Sequence, residues 1–397
     1  MKLIPRSELM ERLIDLQGTP DIKIITGIRR SGKSQLMREY ISYITDSDPA
    51  ANIIFVDLME LKNERLKEYH ALNDYIEAHW QAEKNNYLFV DEVQMCEKFE
   101  LTINSLYTSG KYDIYITGSN AFLLSNDLAT LFTGRYMEVH VFPFSFKEYI
   151  KYFGTDKIDD SFDEYVKHGG FAGSYPYRTE KDRVGYIKDV YNTIVSRDLV
   201  QKYRITDSTV LGHLTEFMMD NISNLTSANN ISETLSQNQI AANHVTVRKY
   251  IKYLSSAYIF YPIQRYDIKG KKYLKSSVKY YLCDTGIRYA ILGMRNMDYG
   301  RVYENMVCIE LLRRGYEVYV GKLYKKEIDF VAVNGSEKIY IQVSDNISEA
   351  RTFQREYEPL LQIKDAYPKM ILARTRHEDY DYEGIKICDI ARWMLTE

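Results

Sequence analysis

The chain has 397 residues, 45% of them hydrophobic, and a net charge of −3. That length suits two or three domains with a core in each, and the near-balanced charge excludes a global attraction to nucleic acid, so any DNA contact has to rest on a local basic patch. Four scattered cysteines, Cys96, Cys283, Cys308 and Cys388, form no C-x-x-C pair, which argues against a disulfide framework or structural zinc.

No apolar run reaches membrane-spanning length and the start at Met1 lacks a signal-peptide core, so a cytoplasmic protein with no membrane partner is expected. Tyrosine is abundant, at 36 residues, and is read as core and interface packing.

Leu9, Leu13 and Leu16 repeat at helical spacing and predict a helix from Arg6 to Gln17, closed by Gly18-Thr19-Pro20. A short apolar strand from Lys23 to Thr26 then runs into Gly27-Ile28-Arg29-Arg30-Ser31-Gly32-Lys33-Ser34. This G-x4-G-K-S spacing predicts a phosphate cradle. The two glycines let successive N–H groups turn inward, and the following helix adds its positive end. Lys33 reaches the β/γ-phosphates and the Ser34 hydroxyl is a Mg²⁺ ligand. Residues Gly27 through Ser34 are thus the expected ATP-binding residues. A helix from Gln35 to Ile44, a buried strand from Asn52 to Val56 and a long charged helix from Leu61 to Lys84 follow in the pattern.

Tyr87-Leu88-Phe89-Val90 reads as a buried strand ending in Asp91-Glu92. Paired with the cradle upstream, Asp91 is expected to hold the Mg²⁺ shell and Glu92 to polarise the attacking water. The next strand, Tyr112 to Thr117, ends in Gly118-Ser119-Asn120, so Ser119 or Asn120 either touches the γ-phosphate or caps a helix.

These stretches, with Leu128 to Tyr136 and Pro143-Phe144-Ser145-Phe146-Lys147-Glu148, resemble the prokaryotic AAA-type ATPases of the AAA_14 group. The resemblance implies an ASCE-type P-loop sheet in which the strand carrying the polar sensor lies between the phosphate-loop strand and the acidic strand. It also makes Arg135 a candidate arginine finger, or a sensor arginine within the chain, against an ordinary surface ion pair. A finger acting in trans implies a homo-oligomer.

A strand from Tyr136 to Phe142 closes the first domain, expected over 1–155. An acidic connector from Asp156 to Asp163 opens a helical segment expected over 156–205. Gly169-Gly170-Phe171 resembles the segment that follows the core in this family. In the helix from Tyr186 to Leu199, Arg197 is a second arginine that either faces a neighbouring nucleotide or makes an ion pair.

Residues 206–300 suit a winged helix. Val247, Ile251 and Leu254 line one side of a helix and leave Arg248, Lys249 and Lys252 outward. Two strands flank Lys269-Gly270-Lys271-Lys272, and Arg265 to Lys279 holds six basic residues against one acid. Phosphate-backbone contact with DNA through these residues is one expectation; a lid or protein-docking module is the other.

Residues 301–397 resemble the DUF4143 domain and a PD-(D/E)XK nuclease-like α/β fold. Glu304 and Asp329 are in place, but Gln342-Val343-Ser344 has serine where the catalytic lysine belongs, so a degenerate site is expected. The expectation as a whole is a multidomain α/β ATPase acting on DNA or a protein partner, with a slow-turnover nucleotide switch or an ATP-dependent nuclease as alternatives.

Overall fold

A computed structural model describes residues 4–118, 132, 134–295 and 297–396. The chain divides into two compact units, Leu3–Phe142 and Pro143–Glu397. The first division therefore falls at Pro143 rather than at 155.

The first unit is a parallel sheet of β1 (Ile22–Thr26), β2 (Asn52–Asp57), β3 (Asn86–Asp91), β4 (Asp113–Thr117) and β5 (Tyr136–His140) in the order β2-β3-β4-β1-β5. The strand before the sensor position, β4, lies between the phosphate-loop strand and the acidic strand, as the resemblance implies. Both faces are apolar because side chains alternate. Leu88, Val90, Ile114 and Ile116 pack with Leu72, Ile76, Ile103 and Leu106 of α3 (Tyr69–Ala78) and α4 (Phe99–Ser109), numbered after α1 (Ser7–Asp15) and α2 (Lys33–Ser47). Phe89, Tyr115 and Val139 pack on the other face with Leu13, Leu36, Met37 and Tyr40 of α1 and α2. The long helix expected from Leu61 to Lys84 is instead a 3₁₀ stretch, Leu61–Lys67, followed by the short α3. Leu61 itself is 84% exposed, so its side chain adds nothing to the core there.

The second unit carries a mixed sheet of nine strands, in which β6 (Leu225–Thr226), β7 (Phe260–Asp267), β8 (Lys272–Leu282), β9 (Glu317–Leu323), β10 (Lys326–Asn334), β11 (Glu337–Ser344), β12 (Lys369–Ala373), β13 (Tyr380–Tyr382) and β14 (Ile385–Asp389) run in the order β13-β14-β12-β11-β10-β9-β7-β8-β6. Its helices are α5 (Phe146–Phe153), α6 (Ile158–His168), α7 (Glu180–Thr193), α8 (Ser208–Asp220), α9 (Ala228–Gln237), α10 (His244–Ser256), α11 (Thr285–Leu292), α12 (Tyr299–Arg313), α13 (Ala350–Leu361) and α14 (Ile390–Trp393). The separate domains expected over 206–300 and 301–397 are one sheet, because β7 pairs in parallel with β9 from Arg265–Val320 to Asp267–Lys322. The acidic connector is helix α6. Asp159 and Asp160 sit in its first turn, where carboxylates suit the positive helix end, and Phe162, Tyr165 and Val166 are buried. After α7 the chain continues as a π-helix, Ile194–Gln201, on which Arg197 is exposed.

The double glycine has a packing role. A Cβ on Gly170 would lie 2.1 Å from the Phe144 carbonyl oxygen, and one on Gly169 would overlap the Asp284 carboxylate. That buried carboxylate accepts the N–H of Gly170 at 2.6 Å and of Gly286 at 2.8 Å. Burial pushes its carboxyl up to about 7, against these donors and the Arg313 guanidinium.

Gly170→Ala should cost the second unit about 3 kcal/mol or more, read by chemical denaturation, because backbone rather than a mobile side chain blocks the added methyl. With its folded-state value above the unfolded one, Asp284 favours folding most below the ordinary carboxylate range, and that contribution is lost as the pH rises through about 7. Thermal denaturation of Asp284→Asn should show a flatter dependence than the parent between about pH 5 and about pH 8.

Candidate functional site

The cradle forms where β1 stops. Gly27 has φ 139°, and a Cβ there would lie 2.1 Å from the Val141 carbonyl oxygen, so only glycine lets the chain turn this close to the strand beside it. Arg30 and Gly32 also take positive φ, 66° and 102°, which curls the loop before α2 begins at Lys33. Ile28 and Ser31 are buried, Arg29 half-buried and Arg30 exposed. The Lys33 ammonium donates to the carbonyls of Gly27 at 2.8 Å and Ile28 at 3.2 Å, which ties it to the loop it serves. The Ser31 hydroxyl is buried and, among the described residues, has no hydrogen-bond partner. A concave glycine loop with a buried ammonium and an unmatched hydroxyl fits a phosphate group.

The acidic strand meets the cradle directly. Ser34 Oγ donates to Asp91 Oδ1 at 3.1 Å, bringing together two of the expected Mg²⁺ ligands from α2 and β3. Thr117 Oγ1, at the end of β4, donates to the same carboxylate oxygen and accepts the Glu92 N–H at 3.1 Å. Asp91 is 2% exposed. Burial raises its carboxyl, the Glu92 and Asp57 charges add to the rise, and the Thr117 and Ser34 hydroxyls oppose it. Bringing a divalent cation to such a group is favourable because it supplies the missing counter-charge. Glu92 follows with left-handed backbone, φ 56° and ψ 47°, and its Oε2 accepts the Gln94 amide. Sharp reversal of the chain at Glu92 turns its side chain out of the strand's alternation. Asp57, at the matching end of β2, is held by Arg38 at 2.8 Å.

One expected residue lies elsewhere. Arg135 precedes β5, which runs parallel to β1 with Tyr136 opposite Ile22 and His140 opposite Thr26. It is therefore at the amino end of the sheet, a strand of five residues or roughly 16 Å from the cradle. Arg135 is exposed there and its guanidinium lies 5.5 Å from the Tyr107 ring, so a sensor role toward its own chain's nucleotide is not what the geometry gives. Ser119 and Asn120 lie outside the described residues.

Arg6 is a residue that the motifs do not mark. Its buried guanidinium donates to the carbonyls of Ser31 at 3.1 Å and Phe142 at 3.0 Å, pinning the cradle to the chain leaving β5. No motif marks it, because both partners are backbone groups distant in sequence.

In the second unit, Arg248, Lys249 and Lys252 are exposed on α10 while Val247, Tyr250, Ile251 and Leu254 are buried; Lys271 and Lys272 are exposed between β7 and β8. Glu304, Asp329 and Gln342 line one cleft of about 880 Å³. Asp329 Oδ2 accepts the Val343 N–H at 2.8 Å, and Gln342 donates to Glu356 at 2.8 Å. Ser344 turns instead to the Asn346 carbonyl. A buried lysine does enter the cleft, from β8: Lys279 contacts Glu304 at 2.9 Å and Glu327 at 2.8 Å. Burial works against its charge, but the carboxylates of Glu304, Asp329 and Glu327 outweigh this and hold it protonated. Among the described residues no group of three or more His, Cys, Asp or Glu is arranged to hold a metal ion, nor is any helix long and apolar enough to cross a membrane.

Comparison with known proteins agrees with the cradle. The family model of the AAA domain, AAA_14, matches residues 19–150. A domain of unknown function, DUF8612, matches residues 159–298, in place of the DUF4143 domain expected further along. An uncharacterized protein of Haemophilus influenzae is 35% identical over 99% of both chains. One from Methanocaldococcus jannaschii is 26% identical over 100% of this chain and 93% of its own. Among solved structures, a Walker-type ATPase of Pyrococcus abyssi is 15% identical, with a TM-score of 0.41 over 72% of this chain and 95% of that one. With a complete phosphate cradle and an acidic strand in contact with it, residues 19–150 form an AAA-type P-loop domain, and the chain belongs to one family with the Haemophilus influenzae protein.

Proposed function

We propose that the protein binds ATP with Mg²⁺, hydrolyses it, and couples turnover to conformational change on DNA or a protein partner. The observation that carries this reading is the 3.1 Å contact between Ser34 Oγ and Asp91 Oδ1, which sets a hydroxyl and a carboxylate side by side at the mouth of the cradle. Bound Mg²⁺–ATP supplies the phosphoanhydride to be cleaved and the divalent charge that shields it. Lys33 neutralises phosphate charge, the loop N–H groups orient it, and Ser34 with Asp91 holds the metal shell. Glu92 takes the proton of the attacking water at its carboxylate, and Thr117 fixes the Glu92 backbone from below. The intact second carboxylate favours hydrolysis over a pure nucleotide switch, which can dispense with it. Arg135, exposed at the amino end of the sheet, suits a finger acting on the nucleotide of a neighbouring copy, and a homo-oligomer follows from that reading.

Support for a winged helix comes from the element order α8-β6-α9-α10-β7-β8 and the strand order β6-β8-β7. Its outward Arg248, Lys249 and Lys252, with Lys271 and Lys272, suit the phosphates of double-stranded DNA and few of them can read base edges. The order α12-β9-β10-β11-α13-β12 suits a nuclease-like fold. Lys279, clamped between two carboxylates, favours a scaffolding role for that cleft over cleavage.

Nucleotide titration and turnover test the reading. Lys33→Ala should abolish ATP binding, while Glu92→Gln should keep binding and lower turnover by a factor of ~10² or more; an alanine variant that binds ATP like the parent would overturn the cradle assignment. Arg6→Ala should weaken ATP binding by about tenfold or more by freeing the loop, with Arg6→Lys recovering only part of it, because a flexible lysine stem does not hold its ammonium in the fixed plane of the guanidinium.

A further inference from the structure

Not all of the tyrosines are packed away: Tyr266 and Tyr319 lie half-buried against the core of the second unit, while Tyr273 beside them is open. Tyr266 and Tyr273 are cross-strand partners on β7 and β8, with ring centroids 5.6 Å apart. Tyr319 on β9 closes a triangle with them, 5.1 Å from Tyr273 and 6.1 Å from Tyr266. The Lys338 ammonium stands 5.7 Å from the Tyr266 ring and 4.8 Å from that of Tyr367, which carries the run of rings to the loop before β12. Tyr273 is 59% exposed and Tyr367 is 41% exposed. Rings this open contribute little to the core, so core packing does not account for them.

The neighbouring hairpin tip supplies charge. Lys269, Lys271 and Lys272 are exposed, and Lys269 lies 4.6 Å from the ring of Tyr324, itself 59% exposed. Among the described residues, no carboxylate is within salt-bridge distance of these three lysines or of Lys338. The carboxylates nearby are held in place by neutral donors rather than by these lysines: Asp267 accepts the Gly270 N–H at 2.9 Å, Glu317 the Tyr319 hydroxyl at 2.9 Å, and Asp365 the Tyr340 hydroxyl at 2.6 Å. What the surface offers a partner is therefore ring faces bordered by lysines that make no direct ion pair among the described residues.

We propose that this surface binds single-stranded nucleic acid, with bases stacked on the exposed tyrosines and phosphates held by Lys338 and the lysines of the hairpin tip. Ring faces can stack only on bases that are free of a duplex, whereas lysines alone take either form. The surface lies wholly within the second unit and does not rest on the ATPase reading. It shares Lys271 and Lys272 with the surface that suits a duplex but not the exposed face of α10, and the tyrosines set it apart.

Fluorescence anisotropy of the full chain with labelled oligo-dT, oligo-rU and a duplex of equal length, at several salt concentrations, tests it. The single strands should bind more tightly than the duplex at each salt. Tyr273→Ala with Tyr367→Ala should weaken single-strand binding about tenfold or more, while the same pair changed to Phe should keep most of it. Lys271→Glu with Lys272→Glu should weaken binding of all sequences and flatten the salt dependence. The dT and rU arms show which sugar is preferred. ATP turnover without nucleic acid should be unchanged in the tyrosine variants, which keeps this test separate from the nucleotide site. Equal affinity for duplex and single strand with no effect of the alanine pair would overturn the proposal. So would loss of self-association in the alanine pair without loss of oligonucleotide binding, which would make the rings a contact between copies of the chain.

Discussion

A single carboxylate oxygen, Asp91 Oδ1, receives two hydroxyls from different parts of the first unit, Ser34 from the helix after the cradle and Thr117 from the end of the central strand. The rest of the site depends on that convergence. It requires β4 to lie between β1 and β3, so that Thr117 sits beneath the gap, and it requires α2 to start early enough for Ser34 to reach across. Gly27 makes the second condition possible by letting the loop turn hard against Val141. Arg6 then holds the loop from behind. A carboxylate buried with only hydroxyl partners is electrostatically incomplete.

The cradle and its acidic partners are legible in the sequence because they are contiguous and their chemistry demands fixed spacings. The sheet order was legible only through resemblance, since strand periodicity says nothing of neighbours. Arg6 was not legible: a lone arginine before a helix has no pattern, and its partners are carbonyls 25 and 136 residues away. Thr117 was in view as part of a strand end, but attention to the polar residues after it hid the one that touches Asp91. The position of Arg135 at the amino end of the sheet follows from the direction of β5, which local pattern cannot reveal. The stretch from Leu61 to Lys84 misled because charged residues at helical spacing mimic a long surface helix, whereas α6 was hidden because its acids obscured Phe162, Tyr165 and Val166.

In the second unit the elements were legible and their grouping was not. The helix through Val247 and Leu254 and the two strands about the basic tip fall where expected, but the pairing of β7 with β9 joins them to the strands that follow. Lys279 illustrates the cost of reading the segments apart. Within the basic run before it, the lysine looks like one more surface charge; in the folded unit it is buried against Glu304 and Glu327 from the following segment. Breaking such a pair on one side leaves a charge stranded in a poorly hydrated place, which is why the two segments are energetically bound to each other.

The shared sheet also governs how the protein is made. The first unit is one continuous stretch ending at Phe142 and can complete itself as soon as it leaves the ribosome. The second cannot. Strand β7 emerges with its parallel edge open and waits for β9 through β12, and the strand that finishes the far side ends at Asp389, more than a hundred residues after β8. At ordinary elongation rates that wait is on the order of ten seconds. For that time the nascent chain exposes an unpaired edge, a natural point for a chaperone to intervene during synthesis.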